Sequence, residues 1–168
     1  MKRLFIIISV LACVGLYASP KKETAADMTA SKTIFIGWVD IKSNDWAVLG
    51  YANEKDWADV IEQSNKSFQQ VCQSKLQTRQ VTGAQSSTDE NTSDKDLVIK
   101  FADVKFDTDS YALYASIHFI DPKTGKELAS ILPRKYRGGH FSVSSCLNGA
   151  LEKVAEKLKE EVDKLPKK

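Results

Sequence analysis

The apolar residues of this chain follow three kinds of spacing. In "TIFIGWVDI" (33–41) they are nearly continuous, β-branched and aromatic, the pattern of a strand buried on both faces. "WAVLGYA" (46–52) follows the turn signal "KSND" and predicts a second strand returning in a hairpin. From Trp57 the spacing becomes helical. Trp57, Val60, Ile61, Phe68, Val71, Cys72 and Leu76 share one face, and Ser64 fills the vacant slot between them. Asn53 is placed to cap this helix, and Glu54 and Asp56 suit the dipole of its first turn. Residues 77–96, "QTRQVTGAQSSTDENTSDKD", are small and polar; they predict an exposed, mobile connection with room for a short strand at Val81–Ala84.

Three strand-like runs come next, at 97–106, 111–120 and 127–132, joined by the turns "DTDS" and "DPKTGK". In the second turn Pro122 pre-sets φ and Gly125 supplies a left-handed position. A second helix begins near Ser142. Val143, Leu147, Ala150, Leu151, Val154, Leu158, Val162 and Leu165 form its apolar stripe, which Gly149 slightly weakens. The order β(β)αβββα predicts an α/β (α+β) fold in one domain over 33–165. It is a two-layer sandwich, with a mixed sheet of four to five strands and two helices on one face.

The N-terminus adds a destination. In "MKRLFIIISVLACVGLYASPKK", Lys2 and Arg3 precede an apolar run from Leu4 to Val14, then the small residues Ala18 and Ser19. This is the layout of a signal peptide over 1–18, with an apolar run too short to span a membrane, so the chain is expected to be exported to the periplasm or secreted. A second reading takes "VLAC" as a lipobox, with a lipoprotein anchored through Cys13. Residues 19–32 read as a flexible leader. Of the 24 Lys and Arg, two lie in 1–18, which leaves 22 against 22 Asp and Glu. A chain so balanced has no long-range attraction for nucleic acid, and no later run is apolar enough for a membrane span.

Motifs for chemistry are sparse. Beyond the leader there are two histidines and two cysteines, without CxxC or HExxH, and no cofactor fingerprint or metal site is expected. His118 alternates with Tyr114 and Ser116 opposite Leu113, Ile117 and Phe119, a polar position on the exposed sheet face. His140 follows Gly138-Gly139, a hinge into the second helix. "DENTSDKD" (89–96) has Asp94 and Lys100 where an EF-hand needs Gly and Glu. Asp40 and Asp103 are acids embedded in apolar strand contexts, without a partner that marks either as catalytic.

Cys72 and Cys146 could pair in an oxidising compartment. Helices separated by three strands run parallel, however, which sets the two cysteines about 14 helical positions, or roughly 20 Å, out of register. An extra strand at Val81–Ala84 would reverse one helix and restore the bridge. The two Asp-Trp-Ala triplets, at 45–47 and 56–58, fall in different contexts and are not a repeat. Trp46 and Tyr51 are the aromatics best placed to lie exposed, for a glycan or a partner to meet.

The stretches "GWVDI", "DLVIKFADV" and "SIHFIDPKTGKELASI" resemble small uncharacterised secreted proteins of Gram-negative gut bacteria. The element order resembles anticodon-binding-domain-like α/β modules of bacterial envelope assemblies, where a hairpin ending in D-x-x-T-G-K precedes the last helix. Neither resemblance implies an activity. The expectation is a non-enzymatic module binding a protein partner in the envelope or outside the cell. Its contact surface would be the less covered sheet face with Lys100, Tyr114 and His118, extended by Trp46 and Tyr51. The alternatives are a carbohydrate-binding accessory protein using exposed aromatics and a cryptic hydrolase.

Overall fold

The structure, a computed structural model, describes residues 33–165 apart from 43–45, 78, 91, 93 and 140. The signal peptide, Cys13, the leader and His140 lie outside the described residues. The elements are β1 (Thr33–Ile36), α1 (Glu54–Lys75), β2 (Gln80–Gly83), β3 (Leu97–Asp107), β4 (Ala112–Ile120), β5 (Glu127–Arg137) and α2 (Val143–Lys164). They form an α+β sandwich on a five-stranded mixed sheet of order β2-β1-β3-β4-β5. β1 runs parallel to both its neighbours, and β3, β4 and β5 form an antiparallel meander.

Period-2 alternation sets the two faces. Ile34, Ile36, Leu97, Ile99, Leu113, Ile117 and Phe119 pack with Phe68 and Cys72 of α1 and with Leu147, Leu151 and Leu158 of α2. Both helices therefore cover the same face. Each begins at the residue the sequence offers: the Asn53 side chain accepts from the Asp56 N–H at 3.0 Å, and Ser142 Oγ accepts from the Ser145 N–H at 3.1 Å. On the opposite face Phe35, Val98 and Ala84 form a second small core with Trp38 and Ile120.

The fifth strand is not where the sequence put it. Residues 46–50 are a turn, in which Tyr51 N–H reaches back to Trp46 O at 3.1 Å and Gly50 adopts φ +84°, so "WAVLGYA" is no strand. The additional strand is β2, after α1, and the order becomes βαββββα. β1 and β2 thus form a parallel pair with α1 as the crossover. From the outer strand β2 the chain must pass β1 to reach β3. Right-handedness sends a connection in that direction over the face opposite α1, and the Lys100–Glu90 pair at 3.5 Å holds it there.

That crossover corrects the argument about the helices. An extra strand is present, yet β3 still runs parallel to β1, so α1 and α2 remain parallel. Lys75 pairs with Glu156 at 3.8 Å, and Arg79, just past α1, with Asp163 at 3.1 Å. In that register Cys72 and Cys146 stand roughly 10 Å apart along the helices, and both are buried free thiols. Burial pushes the Cys72 thiol up to about 12.

Pro133 does not end the last strand, because β5 is a sheet edge and needs no donor there. Leu132-Pro133 bulge outward opposite Ser116, and Asp103-Val104 of β3 bulge opposite Ala115, so β4 has an irregular partner on either side at one level. Asp103 sits at φ +52°, and its carboxylate accepts from the buried Ser116 hydroxyl at 2.8 Å.

At the start of β1 the Asp96 carboxylate accepts from the Thr33 N–H and hydroxyl, each at 3.0 Å, and pairs with Lys123 at 3.2 Å. The Thr33 N–H, with Lys123 behind it, holds the Asp96 carboxyl below its ordinary value. A depressed carboxylate stabilises the fold above its unfolded value and loses that contribution as pH falls through its folded value. Asp96→Asn is therefore expected to lower urea stability at neutral pH by an amount that shrinks on acidification below about pH 4. A gap independent of pH would refute this role.

Candidate functional site

The five sequence-predicted contact residues fall into two groups. Lys100, Tyr114 and His118 come together on the open face: Lys100 is directly opposite His118 across β3 and β4, and Tyr114 lies four residues along β4 on the same side. His118 Nδ1 and Glu127 Oε2 are 2.8 Å apart, and hydrogen bonds from His118 and then Ser130 hold the Glu127 carboxyl below its usual range. Lys135 Nζ lies 5.4 Å from the Tyr114 ring centre. This surface is polar, and Lys100, Tyr114 and His118 line none of the clefts described below.

Trp46 and Tyr51 pack instead against the helix-side core. Tyr51 lies 5.3 Å from Trp57, which lies 5.9 Å from Phe106, ring centre to ring centre. Asp40 is exposed beside Lys42 at 3.4 Å. Among the described residues no three His, Cys, Asp or Glu side chains converge as metal ligands, and no helix is long and apolar enough to cross a membrane.

Three clefts lie elsewhere, at the end where the β3–β4 turn, the β5–α2 loop and the start of α2 meet. One is a cleft of about 630 Å³ between the helices. Ser64 and Ser67 line it from α1, and Ser144, Ser145, Asn148 and Glu152 from α2, with Phe68 and Val71 beneath. Two smaller clefts, of about 350 and 260 Å³, share Tyr111 and Cys146; Gly138 and Gly139 border the first, Phe141 and Val143 the second.

This end is rigidly held. A Cβ on Gly138 would stand 2.3 Å from Cys146 O and 2.4 Å from Ala150 N, and one on Gly149 would stand 2.6 Å from Gly138 Cα. Backbone therefore packs on backbone, and Cys146 Sγ donates to Gly139 O at 3.0 Å. In the facing turn Ser110 Oγ donates to Asp107 at 2.6 Å, and Tyr111 adopts φ +47°. From this fixed base the Phe141 side chain stands 97% exposed, with Tyr111 at 43%. Sequence reading took the two glycines for a hinge and passed over Phe141. The available signal was an aromatic between a Gly-Gly pair and a helix cap, where no period calls for an apolar residue.

Neither family models nor curated proteins match this chain. Among solved structures it is similar to a protein described as a neuraminyllactose-binding hemagglutinin homolog from Helicobacter pylori, at 12% identity and a TM-score of 0.42, covering 79% of this chain and 86% of that one. It is also similar to the PelC dodecamer from Paraburkholderia phytofirmans, at 12% identity and a TM-score of 0.40, covering 80% and 87%. At this level of likeness no residue role carries over.

Proposed function

We propose that this chain is a non-catalytic, exported binding module that works through protein contacts made at the end carrying Tyr111 and Phe141. The observation that supports the reading is Phe141. A phenyl ring left almost wholly in water, beside a half-exposed tyrosine and on a loop fixed by backbone contact, is a pre-organised apolar anchor. Burying it on a partner is worth about 1.5–3 kcal/mol, or roughly ten- to a hundredfold in affinity. Asp109, Ser110, Arg137 and Ser142 give the anchor a polar rim. Export rests on the N-terminal pattern of charged, apolar and small residues.

A photoreactive residue at 141 is expected to give a discrete protein adduct in cells, whereas the same group at exposed Val48 gives none. Phe141→Ser should remove the partner and leave thermal unfolding unchanged. Absence of an adduct at 141, or equal adducts at both positions, would sink the reading.

Carbohydrate binding has one observation in its favour, the hydroxyl, amide and carboxylate lining of the inter-helix cleft. The cleft offers no aromatic face for stacking, since Phe68 is buried. Titration with sialylated and neutral oligosaccharides, followed through the amide signals of Ser145 and Asn148, separates the two readings.

A further inference from the structure

We infer that the free edge of β5 accepts an extended acidic segment of a protein partner as an added strand along Arg134–Arg137. This surface adjoins the Phe141 end and shares Arg137 with its rim, but holds neither Phe141 nor Tyr111. Among the described residues β5 pairs only with β4, so the other side of its backbone carries no described strand. Between this edge and α2 runs a groove of about 300 Å³, lined by Arg134 to Arg137 and by Lys153 and Lys157. A groove between an edge strand and a helix suits strand addition, in which backbone hydrogen bonds supply affinity and side-chain contacts supply selectivity.

Charge identifies the occupant. Beyond the N-terminal 18 residues the chain has no excess of either sign, yet Arg134, Arg137, Lys153 and Lys157 border this groove against Glu156 and Glu160, with Lys135 set over Tyr114 on the other face of β5. The two carboxylates and the two lysines are engaged with each other: Glu156 with Lys153 at 3.0 Å, besides Lys75 of α1, and Glu160 with Lys157 at 2.7 Å. Arg134 and Arg137 make no ion pair among the described residues, leaving two forked donors at the edge. The groove also holds Tyr136, 5% exposed, whose hydroxyl is buried without a hydrogen-bond partner. A second copy fits less well, because the Leu132-Pro133 bulge interrupts the earlier half of β5 and the regular half would set cation against cation.

The test is fluorescence anisotropy with a short labelled peptide of alternating glutamate and valine, the full chain being titrated at low and physiological salt. Binding is expected, weakening with salt, and Arg134→Gln with Arg137→Gln should weaken it by about tenfold or more. Methylating alternate backbone nitrogens of the peptide should abolish binding, because a strand needs those donors. Three results would each overturn the proposal: no binding, binding indifferent to N-methylation, or a sulfated oligosaccharide binding as tightly through the same arginines. The last would make the groove a polyanion site. Phe141→Ser should leave this binding unchanged, so failure here is separable from failure at the Phe141 end.

Discussion

Asn65→Leu is expected to destabilise the protein by about 2–3 kcal/mol, a large share of the 5–15 kcal/mol that holds a typical domain. Asn65 lies in mid-α1 and is fully buried. Its carboxamide accepts from the Val39 N–H at 2.9 Å and donates to Val39 O at 3.0 Å and Ile61 O at 3.1 Å. β1 ends at Ile36, but the chain beyond it stays inside, with Val39 and Ile41 buried. That segment has no strand beside it to satisfy Val39, so one side chain does the work of a neighbouring backbone. Leucine matches the volume but strands the Val39 N–H, at about 1–3 kcal/mol without a partner, and leaves Val39 O with only the Ile41 N–H at 3.0 Å. Urea unfolding measures the loss, and hydrogen exchange locates it: the Val39 amide should lose protection while Leu113 keeps most of its own. A variant as stable as the parent would show that water replaces the amide at no cost.

Gly149→Ala should lower Tm by roughly 5 °C, although the same change in an ordinary helix raises stability by up to about 1 kcal/mol. The sign reverses because the new methyl would lie 2.6 Å from Gly138 Cα and 2.7 Å from Gly139 N, both backbone atoms that no rotamer change can clear. Forcing the loop off the helix costs about 1–3 kcal/mol or more. Gly138→Ala should do the same from the other side, its Cβ meeting Cys146 O and Ala150 N. Since both changes break one contact, the double variant should cost clearly less than the two added together. Calorimetry of the three variants decides it, and a rise in Tm for Gly149→Ala would remove the close approach from the account.

Both positions show what periodicity reveals and what it hides. Apolar spacing located α1 and α2, their caps, the β3–β4–β5 meander and the shared face of the helices, because each depends on residues close in sequence. It read Ser64 as filling a slot and passed over Asn65 and Gln69, which are also buried. A buried polar residue is recognisable only from its distant partner, here Val39 for Asn65 and Ala84 for Gln69. Gly149 looked like a weak point because propensity is local, whereas its neighbour Gly138 belongs to another element. β5 outran Pro133 for a similar reason: edge position is a property of the whole sheet, and it also frees the groove proposed for the acidic strand. The candidate surface split because Trp46 and Tyr51 were assigned to a hairpin that is a turn folded against the core.

The placing of β1 between β2 and β3 bears on the order in which the chain can assemble. Of the five strands, β1 is made first, although it lies inside the sheet; both strands that must flank it are made afterwards, the nearer pairing spanning a 22-residue helix. The meander of β3, β4 and β5 closes through short turns and can form on the microsecond scale of hairpins, whereas the parallel pairings carry the entropy of long loops. Synthesis and assembly therefore run in opposite directions. The β3–β4–β5 meander supplies the template on which β1 is finally laid, so the strand made first is among the last to be enclosed.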